Sequence, residues 1–130
     1  MTHCRVLVLG LVLALAATGC NSASPSNNQT VEFTGVLQVA GLNWHDFTTS
    51  RNGEYSVKVT ALSPNPAALI GIYLGNSTPN GCSQFSSITE AGLNTASMTG
   101  GLNRGNYCLG IIATQSLRAA TNYTVQLSHP

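Results

Sequence analysis

Apolar and polar side chains alternate along most of this chain, in short runs broken by turn-forming residues, and that pattern restricts it to β structure. A strand points successive side chains to opposite faces, so period-two alternation reads as a strand with one buried face. Val31, Phe33, Gly35, Leu37 and Val39 alternate with Glu32, Thr34, Val36 and Gln38. Tyr55, Val57, Val59 and Ala61 alternate with Ser56, Lys58 and Thr60, and Tyr123 to Leu127 alternates in the same way. Asn43 to Thr48, Cys82 to Ile88 and Asn94 to Met98 read as shorter strands. Ala68 to Leu74 and Tyr107 to Ala113 are apolar on both faces, as central strands under cover are. Asn52-Gly53 predicts a tight hairpin, because both residues tolerate positive φ. Ser63-Pro64-Asn65-Pro66, the Gly75–Gly81 stretch and Asn103–Asn106 read as loops, and Thr89–Thr95 as at most one helical turn. About eight short strands with no helical stripe define an all-β chain, a single antiparallel β-sandwich.

The first twenty residues have a different character. A short cationic start leads into an apolar run, Val6 to Ala17, and then into Thr18-Gly19-Cys20. This is the layout of a secretory signal peptide. About 12 apolar residues are too few for a helix to cross the ~30 Å of a bilayer core, which opposes the competing reading of a membrane span. Ala17-Thr18-Gly19-Cys20 resembles the lipobox of bacterial lipoproteins. That resemblance implies cleavage before Cys20 and a lipid on its sulfur. It implies export to the cell envelope, periplasmic or surface-exposed, with Asn21 favouring an outer membrane where the cell has one. Ordinary signal cleavage, with Cys20 free or paired, is the competing reading. The chain then divides into a leader, 1–19, a polar tether, 20–29, and a sandwich domain, 30–130.

Cys4 leaves with such a leader and Cys20 takes the lipid. Cys82 and Cys108 remain, an even pair in an exported chain, and are read as a disulfide. Zinc would want four ligands, and two thiols with the remote His45 and His129 make a poor set. Only 7% of residues are charged. Beyond the leader, Lys58, Arg51, Arg104 and Arg118 balance Glu32, Asp46, Glu54 and Glu90. No basic stripe exists to neutralise phosphates, so nucleic acid is not an expected partner.

Phe33-Thr34-Gly35-Val36-Leu37, Gly41, His45-Asp46-Phe47 and Gly53 to Val59 occur in order, followed by Gly71-Ile72-Tyr73-Leu74, Gly105-Asn106-Tyr107-Cys108 and Asn122 to Val125. This series resembles the bacterial pre-peptidase C-terminal (PPC) domain and its stand-alone relatives, over about 30–129. The resemblance implies a jelly-roll-like sandwich in an exported protein. Related members hold Ca²⁺ through clustered acids, but Glu32 and Asp46 alone cannot supply six to eight oxygens, so no metal or other cofactor is expected.

No catalytic constellation stands out, and the chain is read as a non-enzyme. A Ser-His-Asp set would have to combine His45 or His129 with Asp46, yet His45 and Asp46 are neighbours on a strand and point to opposite faces. His45 is expected at a sandwich edge, satisfied by a backbone carbonyl, and His129 at a frayed terminus. No Gly-x-Ser-x-Gly elbow presents a serine. Trp44, opposite in parity to His45 and Phe47, is expected to face out, where an indole stacks on a sugar or a partner side chain. Tyr73 and Arg104 are further candidate contacts. The expected role is a membrane-tethered binding or structural module for a glycan or an envelope protein. The alternatives are a carbohydrate-recognition module serving a separately encoded enzyme, and a small hydrolase.

Overall fold

The computed structural model describes residues 27–130. The expected leader, Cys20 and most of the expected tether lie outside these residues. Nine strands form among them: β1 (Gln29–Leu37), β2 (Leu42–Thr49), β3 (Gly53–Ser63), β4 (Ile70–Thr78), β5 (Gly81–Gln84), β6 (Thr89–Ala91), β7 (Ala96–Leu102), β8 (Gly105–Ala113) and β9 (Thr121–His129). One sheet has the order β1-β9-β3-β7. The other has β2-β8-β4-β5, with β6 beside β4. Every pairing between strands is antiparallel.

The topology follows from folding the chain in half at the β4–β5 hairpin. β4 pairs with β5, β3 with β7, β2 with β8 and β1 with β9, which makes one long double ribbon. Winding that ribbon brings β3 beside β9 and β4 beside β8, closing the two sheets. This is a jelly roll, so the all-β sandwich expected from the alternation is the fold. The core lies between the sheets. Val57, Val59, Val125 and Leu127 from the first sheet meet Ile70, Ile72, Leu74, Leu109 and Ile111 from the second.

Several local expectations are corrected. Asn52-Gly53 makes no hairpin: β2 and β3 belong to different sheets, and this segment carries the chain across the end of the sandwich. Asn52 spends its amide oxygen on the Arg104 backbone N–H, at 2.8 Å, which ties this crossing to the one between β7 and β8. The alternation in β3 breaks at Thr60, where a bulge against β9 turns Ala61 outward and buries Leu62 instead. β1 stops at Leu37; Val39 stands exposed in a turn closed by Gly41 N–H to the Gln38 carbonyl. Gly75 does not end a strand, since β4 runs on to Thr78. Thr89–Ala91 is a short strand on β4 and not a helical turn. His129 is not frayed: it is buried, paired with Gln29, and its ring lies 5.1 Å from that of Phe47. The tether also ends early, because Asn28 already donates to the Glu54 carbonyl and β1 begins at Gln29.

Candidate functional site

β1 is one edge of the first sheet and β2 one edge of the second, and a four-residue turn joins them. The two edges leave a seam along one side of the sandwich. In β2 the alternation sends Asn43, His45 and Phe47 toward the seam and core, and Leu42, Trp44 and Asp46 out. In β1 it sends Phe33 and Gly35 inward, opposite Val125 and Tyr123 of β9.

Tyr123 reaches the seam because residue 35 is glycine. A Cβ there would lie 2.5 Å from the Tyr123 hydroxyl oxygen, so any side chain would shut it out. That oxygen lies 2.8 Å from His45 Nε2 and accepts from Asn43 Nδ2 at 3.2 Å. Asn43 Nδ2 also donates to the Val36 carbonyl at 2.9 Å, which fixes the amide's orientation, since a carbonyl only accepts. The hydroxyl oxygen can accept a second hydrogen bond as well as donate its proton, so it partners His45 Nε2 in either direction, according to the imidazole tautomer. The imidazole face stacks on Phe33, with centroids 4.6 Å apart and planes 9° from parallel.

Burial pushes the His45 pKa below 6.5, with the nearby Asp46 charge opposing. Burial raises the Tyr123 pKa, with the Asn43 hydrogen bond opposing. Both shifts favour the neutral forms. His45 was expected to meet a backbone carbonyl; a tyrosine hydroxyl takes that place.

A shallow depression of about 310 Å³ opens over this cluster, lined by Thr34, Gly35, Leu42, Asn43, Trp44, His45 and Tyr123. No lining residue carries a carboxylate. Asp46 points out through the other face of β2. The hydrolase alternative needed an acid gathered with His45, and the depression lacks it. No group of three or more His, Cys, Asp or Glu placed to hold a metal ion occurs among the described residues.

The other candidate contacts separate. Trp44 is 44% exposed on the outer face of the second sheet, as its parity predicts. Tyr73 stands two strands away on the same face, each of the pair opposite Gly110 of β8, but it is only 4% exposed and leaves the candidate set. Its ring lies flat on Gly110, where a Cβ would collide with it. Arg104 is exposed at the β7–β8 crossing, near the far end of β2, about five residues or ~17 Å along the strand from Trp44. Cys82 and Cys108 form the disulfide expected, with Cα atoms 5.7 Å apart. Asn43, Tyr123 and Gly35 escape a reading of residue types. The available signal was a glycine inside a strand, which marks a close approach.

Two further hollows lie elsewhere. One of about 500 Å³, on the outer side of the first sheet, includes Asn28, Glu54, Ser56, Thr99 and Ser128. One of about 270 Å³ lies between the loops around Asn65 and Arg118. Neither contains the tryptophan or a histidine. No protein-family model matches the chain, and no curated protein matches it.

Proposed function

We propose that this chain is an exported lipoprotein, tethered through Cys20, whose jelly roll is a non-catalytic binding module. The observation that carries the binding reading is the seam. It is an open depression beside an exposed indole, furnished with an amide, an imidazole and a hydroxyl held neutral, and without a carboxylate to activate any of them. A histidine base is ordinarily oriented by a carboxylate, and Asp46 projects from the other face of β2. The tether reading is supported by the lipobox-like run and by the position of β1, which begins nine residues after Cys20. A jelly-roll-like sandwich is also what the resemblance to PPC domains implies. A module of that kind serves by holding a partner or substrate near the membrane.

Intact mass of the chain from the membrane fraction, with and without reductant, tests the tether. The expected product lacks residues 1–19, carries added diacylglycerol, and gains two hydrogens on reduction. Replacing Cys20 by alanine should release it to the soluble fraction. A water-soluble, unacylated chain overturns the tether. A second reading, carbohydrate recognition for a separately encoded enzyme, is favoured by one specific feature, the exposed indole of Trp44 on the outer face of the second sheet.

A further inference from the structure

We propose that the outer face of the second sheet docks on the zwitterionic lipid surface that holds Cys20, with the Trp44 indole at headgroup depth. This rests on the lipoprotein reading and adds the surface on which the tethered module lies. It gives to the bilayer the indole that the second reading gives to a sugar.

Strand pairing makes the apolar residues of this face one surface. Residues directly opposite each other on paired strands share a face of the sheet. Leu42 on β2 is paired with Ile112 on β8, and Ile112 with Gly71 on β4. In the next row Trp44 is paired with Gly110, and Gly110 with Tyr73. The two glycines do not interrupt the surface, since Ile88 and Ile112 close over Gly71 and the Tyr73 ring closes over Gly110. Leu42, Trp44 and Ile88 stand well exposed on it. Val39, in the turn before β2, and Leu69, just before β4, are exposed at the same end of the sandwich. Exposed apolar residues set singly are ordinary, but a continuous group of them marks a docking surface.

The charges around this group choose its occupant. The strands of the second sheet put two charged side chains on the face, Asp46 on β2 beyond Trp44 and Glu90 on β6 opposite Gly71. Both are acidic, and both stand at the rim of the apolar group. A second copy seated here would bring two more carboxylates, with no cation on these strands to meet them. An anionic surface would be repelled in the same way. A zwitterionic lipid surface carries no such penalty: it takes aliphatic side chains into the acyl boundary and leaves the carboxylates among the headgroups. It also suits an indole, whose apolar ring and polar N–H divide between hydrocarbon and water.

The tether lets the face reach such a surface. β1, from which it leaves, belongs to the first sheet, about 10 Å above the second. With the second sheet downward, Gln29 stands about 15–20 Å over the lipid once side chains are counted. The stretch from Cys20 to Asn28 spans at most ~30 Å. The sandwich can therefore lie on this face with Cys20 still in the bilayer, and it is never far from it. Such confinement lets a small apolar group suffice where free encounter would not.

Trp44 is the chain's one tryptophan, so its emission reports the depth of this face alone. The chain purified from the membrane fraction is reconstituted in phosphatidylcholine vesicles, with and without lipids brominated near the headgroup or near the chain end. Trp44 emission is expected to lose more intensity to bromine near the headgroup than to bromine near the chain end, and to be shielded from acrylamide. Replacing Leu42 and Ile88 together by glutamine should lower the ratio of docked to undocked chain about tenfold or more, read from the quenching, while a cooperative thermal melt is retained. Thr99→Ala, on the other sheet, should be quenched as the parent is. Replacing part of the phosphatidylcholine by phosphatidylglycerol should not strengthen the quenching. Emission indifferent to bromine, undiminished quenching in the glutamine variant, or stronger quenching on the anionic vesicles overturns the inference. Shielding without quenching that grows with protein density also overturns it, and assigns the face to a second copy. A chain that is acylated on Cys20 but not quenched by bromine removes this inference and leaves the tether. An unacylated chain that is quenched when mixed with the same vesicles does the reverse.

Discussion

The outer faces of the two sheets are built on different plans, although their strands have similar lengths and share one core. On the first sheet the outward positions are, Val36 apart, small or polar: Thr30, Glu32 and Thr34 on β1, Ser56 and Lys58 on β3, Asn122, Thr124 and Gln126 on β9. They end at the surface and support nothing above them. On the second sheet the outward positions alternate glycine with large side chains that lie across it. Ile88 and Ile112 cover Gly71, Tyr73 covers Gly110, and Cys82 covers Gly75. Beyond this layer Leu42 and Trp44 remain exposed. One face is a solvated surface. The other is a thin second layer of packing, with the disulfide as its fastening. The difference explains how a chain with so few charges keeps one side wet while turning an aromatic surface outward on the other.

The disulfide is where this contrast is largest. It ties β5 to β8 across β4, and its residues are separated by 26 positions. Replacing Cys82 and Cys108 together by serine should lower unfolding free energy by about 3 kcal/mol, read from urea titration. The loss should be uneven in space. Amide exchange is expected to rise first in β4 and β5, while the β1–β9 pairing keeps its protection. Equal loss of protection in both sheets would show that the second layer is not a separate unit.

Glycines sharpen the comparison at smaller scale. Gly110→Ala should cost about 1–3 kcal/mol, because the new Cβ displaces the Tyr73 ring from its seat. Gly101→Ala, on the outer face of the first sheet, meets nothing nearer than the Gly53 carbonyl oxygen at 4.0 Å. It should be neutral, or stabilising by up to about 1 kcal/mol through the entropy of the unfolded chain. Thermal melts of the two variants measured side by side check this. Equal effects would erase the distinction between the faces.

The same glycines mark where a reading of residue types succeeds and fails. Alternation and short apolar runs between turn signals find eight of the strands, because burial on one side imposes period two and burial on both sides a continuous apolar run, whatever the topology. They are silent on which sheet a strand joins, so Asn52-Gly53 looks like a hairpin when the chain in fact crosses between sheets. Gly75 looks like a strand end because a glycine has no side chain to declare a face, yet here it is the floor beneath Cys82. The parity of Trp44 is legible from its neighbours, and so is the cysteine pair, since each depends on a local or a counting rule. The seam is not legible. His45 and Tyr123 are 78 residues apart, and their meeting depends on the winding that sets β1 and β9 beside β2.

That seam is one place where the two sheets meet, and its imidazole should make their junction sensitive to acid. The groups facing His45 are Tyr123 from β9, Phe33 from β1 and Asn43 from its own strand; the nearby carboxylate, Asp46, projects away. Burial holds the folded-state pKa of His45 below the value of 6.5. The unfolded chain therefore binds the proton more readily, and protonation favours unfolding. The His45 contribution is complete above pH 6.5 and is lost as pH falls through the lowered folded-state value. Protonation places a hydrogen on both imidazole nitrogens, so Nε2 can then only donate to the Tyr123 hydroxyl oxygen. Urea midpoints measured between about pH 5 and 8 should fall toward the acid end in the parent chain. In His45→Gln, which keeps an amide in the seam and removes the titration, they should fall less steeply. The effect is expected to be the smallest of the three, because His45 is only partly buried. Parallel slopes for the two proteins would place the acid sensitivity elsewhere and leave the seam a passive joint.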